Sequence, residues 1–337
     1  GFLRAHCKVD SSVHLAPEGL QTPGRDWFAL LPHAADQAMQ CDEWIEEPTV
    51  VVTRVEYANF YHTMTDFVGA WSAAVIAGVD PRKMRILFAD GHPRSPFDEQ
   101  AWTDGLSNGH KPLRKGDLKG RHVCFRKLVF ALFGYASPIT IDWFRANACG
   151  YSPWLQSFKS QFLRPFGLEH VPMPAVGADI NITLVLREDY VAHPRDGGGG
   201  KRHNKISNPD EIMAAMPTEA GVNARRVQMA FLTFQEQIEL VRNTNIYIGM
   251  HGAALTFLPF LAEDAVIIEL VSLRGLNKFH FPNLAAWSGK GFILWRNNIA
   301  RNEINEYLTK VDPGQFRGLV DKAVGMVRDR RRKGSQR

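Results

Sequence analysis

From residue 179 to residue 270, short β-branched runs and helix-patterned stretches take turns along the chain, and this alternation constrains the fold more than any other feature. "DINITLVLR" (179–187) reads as a strand, and "NPDEIMAAM" (208–216) as a helix with Asn208 at the N-cap, Pro209 at its first position and acids in its first turn. "RRVQMAFL" (225–232) reads as the next strand, and "TFQEQIELVRNT" (233–244) as a helix in which Thr233 and Glu236 have capping-box spacing. "NIYIGM" (245–250), "AALTFLPFLA" (253–262) and "AVIIEL" (265–270) continue as strand, helix, strand. Strands that alternate with helices predict an α/β fold, a parallel sheet with helices on both faces.

The first half has the same texture more sparsely. "TVVVTRVEY" (49–57) is a strand pattern, residues 61–79 a helix closed by Gly78 and Asp80-Pro81, and "MRILFAD" (84–90) a second strand, together one β-α-β unit. "HVCFRKLVFA" (122–131) is a further strand candidate, and residues 152–168 form an aromatic-rich helix. "EHVPMPAVGA" (169–178) carries two prolines and little periodicity, which predicts a linker. The chain of 337 residues thus divides into an N-terminal Rossmann-like domain (1–168), the linker (169–178) and a C-terminal Rossmann-like domain (179–312). Residues 313–337 add a helix leaning back on the N-terminal domain and ending in a basic tail. Two such domains leave a cleft outside the carboxyl ends of their strands.

The net charge of +5 is modest, and much of the surplus lies in residues 327–337. That suits an anionic small molecule and falls short of the basic stripe of a nucleic-acid binder. The four cysteines, Cys7, Cys41, Cys124 and Cys149, show no CxxC spacing, which argues against a zinc site. They allow two disulfides in any of three pairings, or four thiols. No run of 18 apolar residues is present; the chain opens abruptly on Gly-Phe-Leu, so an anchor or leader is expected upstream. The one glycosylation sequon, at Asn181, falls within a strand, which disfavours its use.

Candidate chemistry gathers at strand ends. Met250-His251-Gly252 stands where a strand gives way to a helix, a place that offers free N–H groups to an anion, with Gly252 permitting close approach, Ala253 continuing the turn and His251 able to donate to a phosphate or hydroxyl. Arg187 closes the first strand of this half, and Lys201, Arg202 and Lys205 follow in a glycine-rich loop; together they can clamp a diphosphate. Glu269, near the end of its strand, can accept two ribose hydroxyls. In the first half, Glu56, His62 and Asp66 surround a strand-helix junction. His62 and Asp66, four residues apart, share a helix face, so one can act as general base and the other as its orienter. There is no GxSxG, HExxH, Walker A or GxGxxG motif, and no DxD-type pair for a metal-bound sugar nucleotide.

These stretches resemble glycosyltransferase family 61. The likeness rests on a strand ending in Arg187, "NKISN" with Lys205 and Asn208, "TFQEQIELVRNTNIYIGMHGAALTFLPFL", "AVIIELV" and "NKFHFPNLAAWSGKGFILW", and it covers roughly residues 45–310. Ala254 stands where the family often has Gly, and Phe257 where it often has His, a change expected to alter a pocket wall. "EYANFYHTMTDF" (56–67) and "CFRKLVFALFGYASP" (124–138) are similar to the plant-type branch that adds β-1,2-xylose to N-glycans. Animal O-linked N-acetylglucosamine transferases share a looser form of the first motif.

The resemblance implies a GT-B architecture, two facing Rossmann-like domains with the donor held by the second. It implies inverting transfer from UDP-α-xylose, with no cofactor or metal, to the core β-mannose of an N-glycan on a glycoprotein in the Golgi lumen. Asp66 is the candidate base, His62 its orienter and Glu56 the competitor. Arg187, Lys205, Asn208, His251, Gly252, Ala253 and Glu269 form the donor set, and Tyr57, Asn59 and Tyr61 the acceptor contacts. Two alternatives stay open: another donor, UDP-N-acetylglucosamine or UDP-arabinose, onto protein or xylan; and a non-catalytic UDP-sugar or glycan-binding module.

Overall fold

The computed structural model describes residues 40–94, 97–140, 151–170, 172–189, 203–275 and 278–335. They fall into two compact units: one includes the described residues up to Tyr57 together with His62–Thr140, the other Ala58–Tyr61 and the described residues from 151 onward. Both are α/β with parallel sheets. Lys201, Arg202, Cys7 and Cys149 lie outside the described residues.

In the first unit, strands β1 (Glu43–Ile45) and β5 (Val123–Phe125) form a parallel pair, tied by a disulfide between Cys41 and Cys124. A four-stranded sheet is built from β2 (Thr49–Val52), β3 (Arg85–Phe88), β4 (Leu113–Arg114) and β6 (Leu128–Phe130) in the order β4-β3-β2-β6, every pairing parallel. The predicted strand at 122–131 is therefore two strands in two different sheets, separated by Arg126 and Lys127. Helix α1 (Phe60–Ile76) buries Met64, Phe67, Val68, Trp71 and Ala74, a spacing that keeps one face apolar. Phe67 and Phe88 meet Trp102 edge-on at 4.5 and 5.1 Å.

The second unit carries the fuller alternation. Helix α2 (Pro153–Leu163) starts at the Ser152 cap; then come β7 (Ile180–Val185), β8 (Lys205–Ile206), α3 (Pro209–Ala214), β9 (Val222–Val227), α4 (Phe234–Arg242) and β10 (Ile246–Met250). A 3-10 helix (Ala253–Phe260), β11 (Val266–Val271), α5 (His280–Trp287), β12 (Gly291–Arg296), β13 (Leu308–Thr309) and α6 (Pro313–Gly334) complete it. The five-stranded sheet runs β12-β11-β10-β7-β9, all parallel. Every residue of β10 and β11 is buried, as apolar runs inside a two-layered cover require. Along β10, Ile246, Ile248 and Met250 join a core that includes Phe316, Val320, Ala323, Val324 and Val327 of α6. On the other face, the Tyr247 hydroxyl donates to Ala254 O at 3.0 Å in the 3-10 helix.

Four expectations change in detail. Helix α6, read as leaning back on the N-terminal domain, lays its apolar face on this sheet. The stretch 225–232 is the end of β9 followed by a 3-10 turn at Met229–Phe231. The helix after Gly252 is a 3-10 helix with Pro259 inside it, where an α-helix would lack one N–H. Asn208 precedes α3 without capping it: its amide clasps Val311, donating to the carbonyl at 2.9 Å and accepting from the N–H at 3.0 Å.

Candidate functional site

Strand order locates the site in the second unit. The chain lays down β7, then β9 on one side, then β10 on the other side of β7, so the order in which strands are added reverses between β7 and β10. A crevice at the carboxyl ends of such a pair is the usual ligand site of an open parallel sheet. Arg187 stands two residues beyond β7, and His251-Gly252 follows β10 directly. The two strand ends converge: a Cβ added at Gly252 would stand 2.7 Å from Arg187 Nη1. The glycine is there for space, since its φ of 162° is extended backbone open to any residue. It lets a guanidinium lie across the first turn of the 3-10 helix.

His251 is fixed on three sides. Its N–H donates to Leu270 O at 2.8 Å, extending the β10–β11 ladder. Its carbonyl accepts from Asn204 Nδ2 at 3.1 Å. Its ring Nδ1 lies 2.5 Å from Glu269 Oε1. A carboxylate only accepts, so the proton belongs to Nδ1, and Nε2 is the nitrogen left for a ligand. The imidazole is 22% exposed and Glu269 only 2%, so the histidine is the reachable member of the pair. Lys205 Nζ sits 2.9 Å from both oxygens of Asp189. Ala253 opens the 3-10 helix. Asn208 is turned into the protein on Val311.

Beside His251 lies a tier of rings. His280 is 5.3 Å from His251, 4.2 Å from Phe281 and 5.1 Å from Tyr61, which belongs to this unit. Phe257 is 2% exposed and stacks on Phe60 at 3.9 Å, so the residue standing where the family often has His is a packing residue. Asn59 accepts from the Tyr61 N–H at 3.0 Å and so caps the start of α1.

The first unit has a reversal point of its own, between β2 and β6. Gly134, beyond β6, closes over it: an added Cβ would stand 2.5 Å from Val55 Cγ2 and 3.2 Å from Asp66 Oδ1. Asp66 is 1% exposed, and neither of its oxygens has a hydrogen-bond partner of good geometry, His62 included. Burial pushes its carboxyl well above the usual carboxylate range; the Asp90 charge adds to this, while Arg54 and the nearby Val55 amide oppose it. His62, half-buried, is lowered by burial, with Glu56 opposing. Glu56 Oε1 accepts from the Tyr57 N–H at 2.7 Å, and Tyr57 is buried with its ring 5.2 Å from His92. Arg54 and Asp90 join the carboxyl ends of β2 and β3 through Nη2–Oδ1 at 2.8 Å and Nε–Oδ2 at 3.1 Å.

Sequence reasoning missed Asn204, Arg54, Asp90, Gly134 and His280. Asn204 has a φ of +58°, in the left-handed region that Asn tolerates better than most residues, a feature that only the structure shows. Among the described residues, no group of three His, Cys, Asp or Glu side chains is arranged to hold a metal ion, and no helix is long and apolar enough to cross a membrane.

The family model described as Glycosyltransferase 61 matches residues 60–268, from the start of α1 into β11. The chain belongs to glycosyltransferase family 61. The family match takes in His62, Asp66, Arg187, Lys205, His251 and Gly252, and stops one residue before Glu269. Among curated proteins, this family 61 chain is similar to a β-1,2-xylosyltransferase of Arabidopsis thaliana, 27% identical over 299 residues, covering 79% of this chain and 54% of that protein. A β-1,2-xylosyltransferase of Oryza sativa subsp. japonica is 28% identical over 270 residues, covering 74% and 49%. An EGF domain-specific O-linked N-acetylglucosamine transferase of Drosophila melanogaster is 27% identical over 316 residues, covering 88% and 55%. The chain spans about half the length of the curated relatives it matches. Among solved structures, a D-isomer specific 2-hydroxyacid dehydrogenase from Xanthobacter autotrophicus Py2 matches at 11% identity over 83% of this chain and 96% of that one, with a TM-score of 0.20, too slight a likeness to bear on fold or activity.

Proposed function

We propose that this family 61 member transfers xylose from UDP-xylose, with inversion and without a metal, to the core β-mannose of N-glycans in a β-1,2 linkage. The observation that carries the reading is the cationic cradle at the β7/β10 reversal, where the Arg187 guanidinium lies across Gly252 beside His251. Such a cradle suits a departing diphosphate, and Lys205 can join it by leaving Asp189. In the proposed GT-B arrangement, the second unit holds the donor and the first presents the acceptor; the stretch 169–178, read from sequence as the linker, falls inside the second unit. An inverting transfer needs one in-line displacement and one base. Asp66 is proposed as that base, since burial has left it a carboxyl with a high proton affinity, with His62 and Glu56 beside the acceptor hydroxyl. The Golgi lumen is the proposed compartment, and the Cys41–Cys124 disulfide fits an oxidising one.

A second reading has its own support. The Drosophila relative, named for O-linked N-acetylglucosamine transfer to EGF domains, aligns with more of this chain than the plant enzymes do. UDP-N-acetylglucosamine is therefore the competing donor.

The test is a donor panel. The protein is given UDP-xylose, UDP-N-acetylglucosamine or UDP-arabinose separately, each with EDTA, together with a defined N-glycan or an EGF-domain acceptor, and the products are read by mass spectrometry. A pentose added to the N-glycan from UDP-xylose alone is the expected outcome. A hexosamine on the EGF domain moves the assignment to the second reading. UDP binding with no transfer to any acceptor defines a binding module.

A further inference from the structure

Glu269 was read from sequence as an acceptor for ribose hydroxyls, and its surroundings argue otherwise. It is 2% exposed, its neighbour across the sheet in β10 is Gly249, and Oε1 lies 2.5 Å from Nδ1 of His251.

We propose that Glu269 is a positioning residue that acts on the donor only through His251: it accepts Nδ1–H and balances the charge of a ring that is protonated at both nitrogens when the diphosphate is bound, so that Nε2–H donates to the diphosphate. The proposal rests on the donor reading above and deepens it. Glutamate is well suited to this because an ionised carboxylate only accepts hydrogen bonds. Glutamine in its place can still accept from Nδ1–H but carries no charge to balance a doubly protonated ring, so it holds the ring while disfavouring the form whose Nε2–H donates to the diphosphate. Partners that orient a ligating histidine from behind matter about 10–100-fold in comparable sites. Asn204, which donates to the His251 carbonyl, fixes the backbone of the same residue from the loop before β8.

The experiment is a double-mutant cycle on UDP affinity by calorimetry, with a second probe, 2′,3′-dideoxy-UDP. Glu269→Gln is expected to weaken UDP about tenfold. In a His251→Ala background, the same substitution is expected to change affinity by less than about twofold, because the group it acts through is gone. UDP and the dideoxy nucleotide are expected to lose the same factor on Glu269→Gln. The proposal is overturned if the two losses add, or if Glu269→Gln affects UDP and leaves the dideoxy nucleotide untouched, the mark of direct ribose contact. An unchanged affinity in Glu269→Gln also overturns it. If the unsubstituted protein binds no UDP, the donor reading itself has failed, and the two failures are told apart. Circular dichroism and melting temperature verify that each variant is folded, and Glu269→Asp, acceptor-only like the original but shorter, serves if glutamine disturbs the core.

Discussion

A single hydrogen atom in place of a methyl group decides how closely the Arg187 guanidinium approaches the chain at Gly252. Gly252 is extended, so alanine there carries no backbone penalty, and the only atoms in its way belong to the end of a flexible side chain. Gly252→Ala is therefore expected to leave the melting temperature within about 2 °C of the original while swinging the guanidinium off the cradle. UDP affinity should fall about tenfold, the order of one charge-assisted hydrogen bond to phosphate; titration calorimetry checks both halves. Asp66 makes the opposite kind of prediction. Its folded carboxyl holds a proton more tightly than an unfolded one, so its burial costs least at low pH and more as pH rises through the folded value. Asp66→Asn removes that cost: urea melts should show stability equal to the original near pH 4 and greater near pH 7.5. If Asp66 is the base, transfer should fall about 10²–10⁴-fold in the same variant. Equal activity would reassign the proton to His62 or Glu56. Arg187, His251 and Gly252 were legible as a group because all three sit at strand ends that the alternation already fixed. Asn208 and Glu269 were not, because their partners, Val311 and His251, lie 103 and 18 residues away along the chain.

Helices and strands with one continuous apolar pattern were read correctly, and those that failed did so for local reasons. Helix α4 carries the predicted box, Thr233 Oγ1 accepting from the Glu236 N–H at 3.3 Å and Glu236 Oε2 accepting from the Thr233 N–H at 2.7 Å. The stretch 122–131 looked like one strand because nothing in its composition marks the exposed Arg126-Lys127 pair as a crossing between sheets. A charged cluster at the amino ends of β11 and β12 was not legible, because its members come from distant parts of the chain. Glu263 there meets Lys159 at 2.7 Å, Lys290 at 3.1 Å and Arg242 at 3.6 Å. Lys290 has no exposed side-chain surface, and burial drives its ammonium down to about 7, with Glu263 opposing and Lys159 reinforcing. An unfolded lysine keeps its proton up to about 10.5, so between roughly pH 7 and 10.5 the unfolded chain holds more protons and stability rises with pH. Below pH 7 both states are charged and the full cost of burial applies. Lys290→Met leaves Glu263 with two cations, and Ala262 O keeps the Ala265 N–H at 3.0 Å. It should stabilise the protein at pH 6 by about 1 kcal/mol and lose that advantage by pH 9, as read by urea unfolding at the two pH values. A larger gain at pH 9 than at pH 6 would contradict this account.

At the scale of the whole molecule, the parallel α/β class was visible in the sequence because buried strands in such sheets are nearly all apolar and their crossovers are helical. The strand orders were not, since β-α-β patterning says that strands are parallel without saying on which side of its predecessor each one lies. Both candidate sites depend on that choice: each sits where the order reverses. The cysteine pairing was likewise open among three possibilities, and only the pairing of β1 with β5 brings Cys41 beside Cys124, with Cα atoms 5.8 Å apart. The bond spans 83 residues of sequence, enclosing most of the first unit's sheet, and by loop-closure entropy a cross-link of that span stabilises by about 4.5 kcal/mol. It lies wholly within one unit, whereas the second unit's core of β7, β10, β11, α3 and α6 contains neither cysteine. Differential scanning calorimetry with and without a phosphine reductant should therefore show an unequal effect. The transition belonging to the first unit should fall by more than about 10 °C, given roughly 4–8 °C per kcal/mol for a domain of this size, and the second should stay within about 2 °C. Cys41→Ser should reproduce the reduced profile without any reductant. A shift of both transitions by the same amount would mean that the two units unfold as one cooperative body, and the stabilisation would then belong to the whole chain.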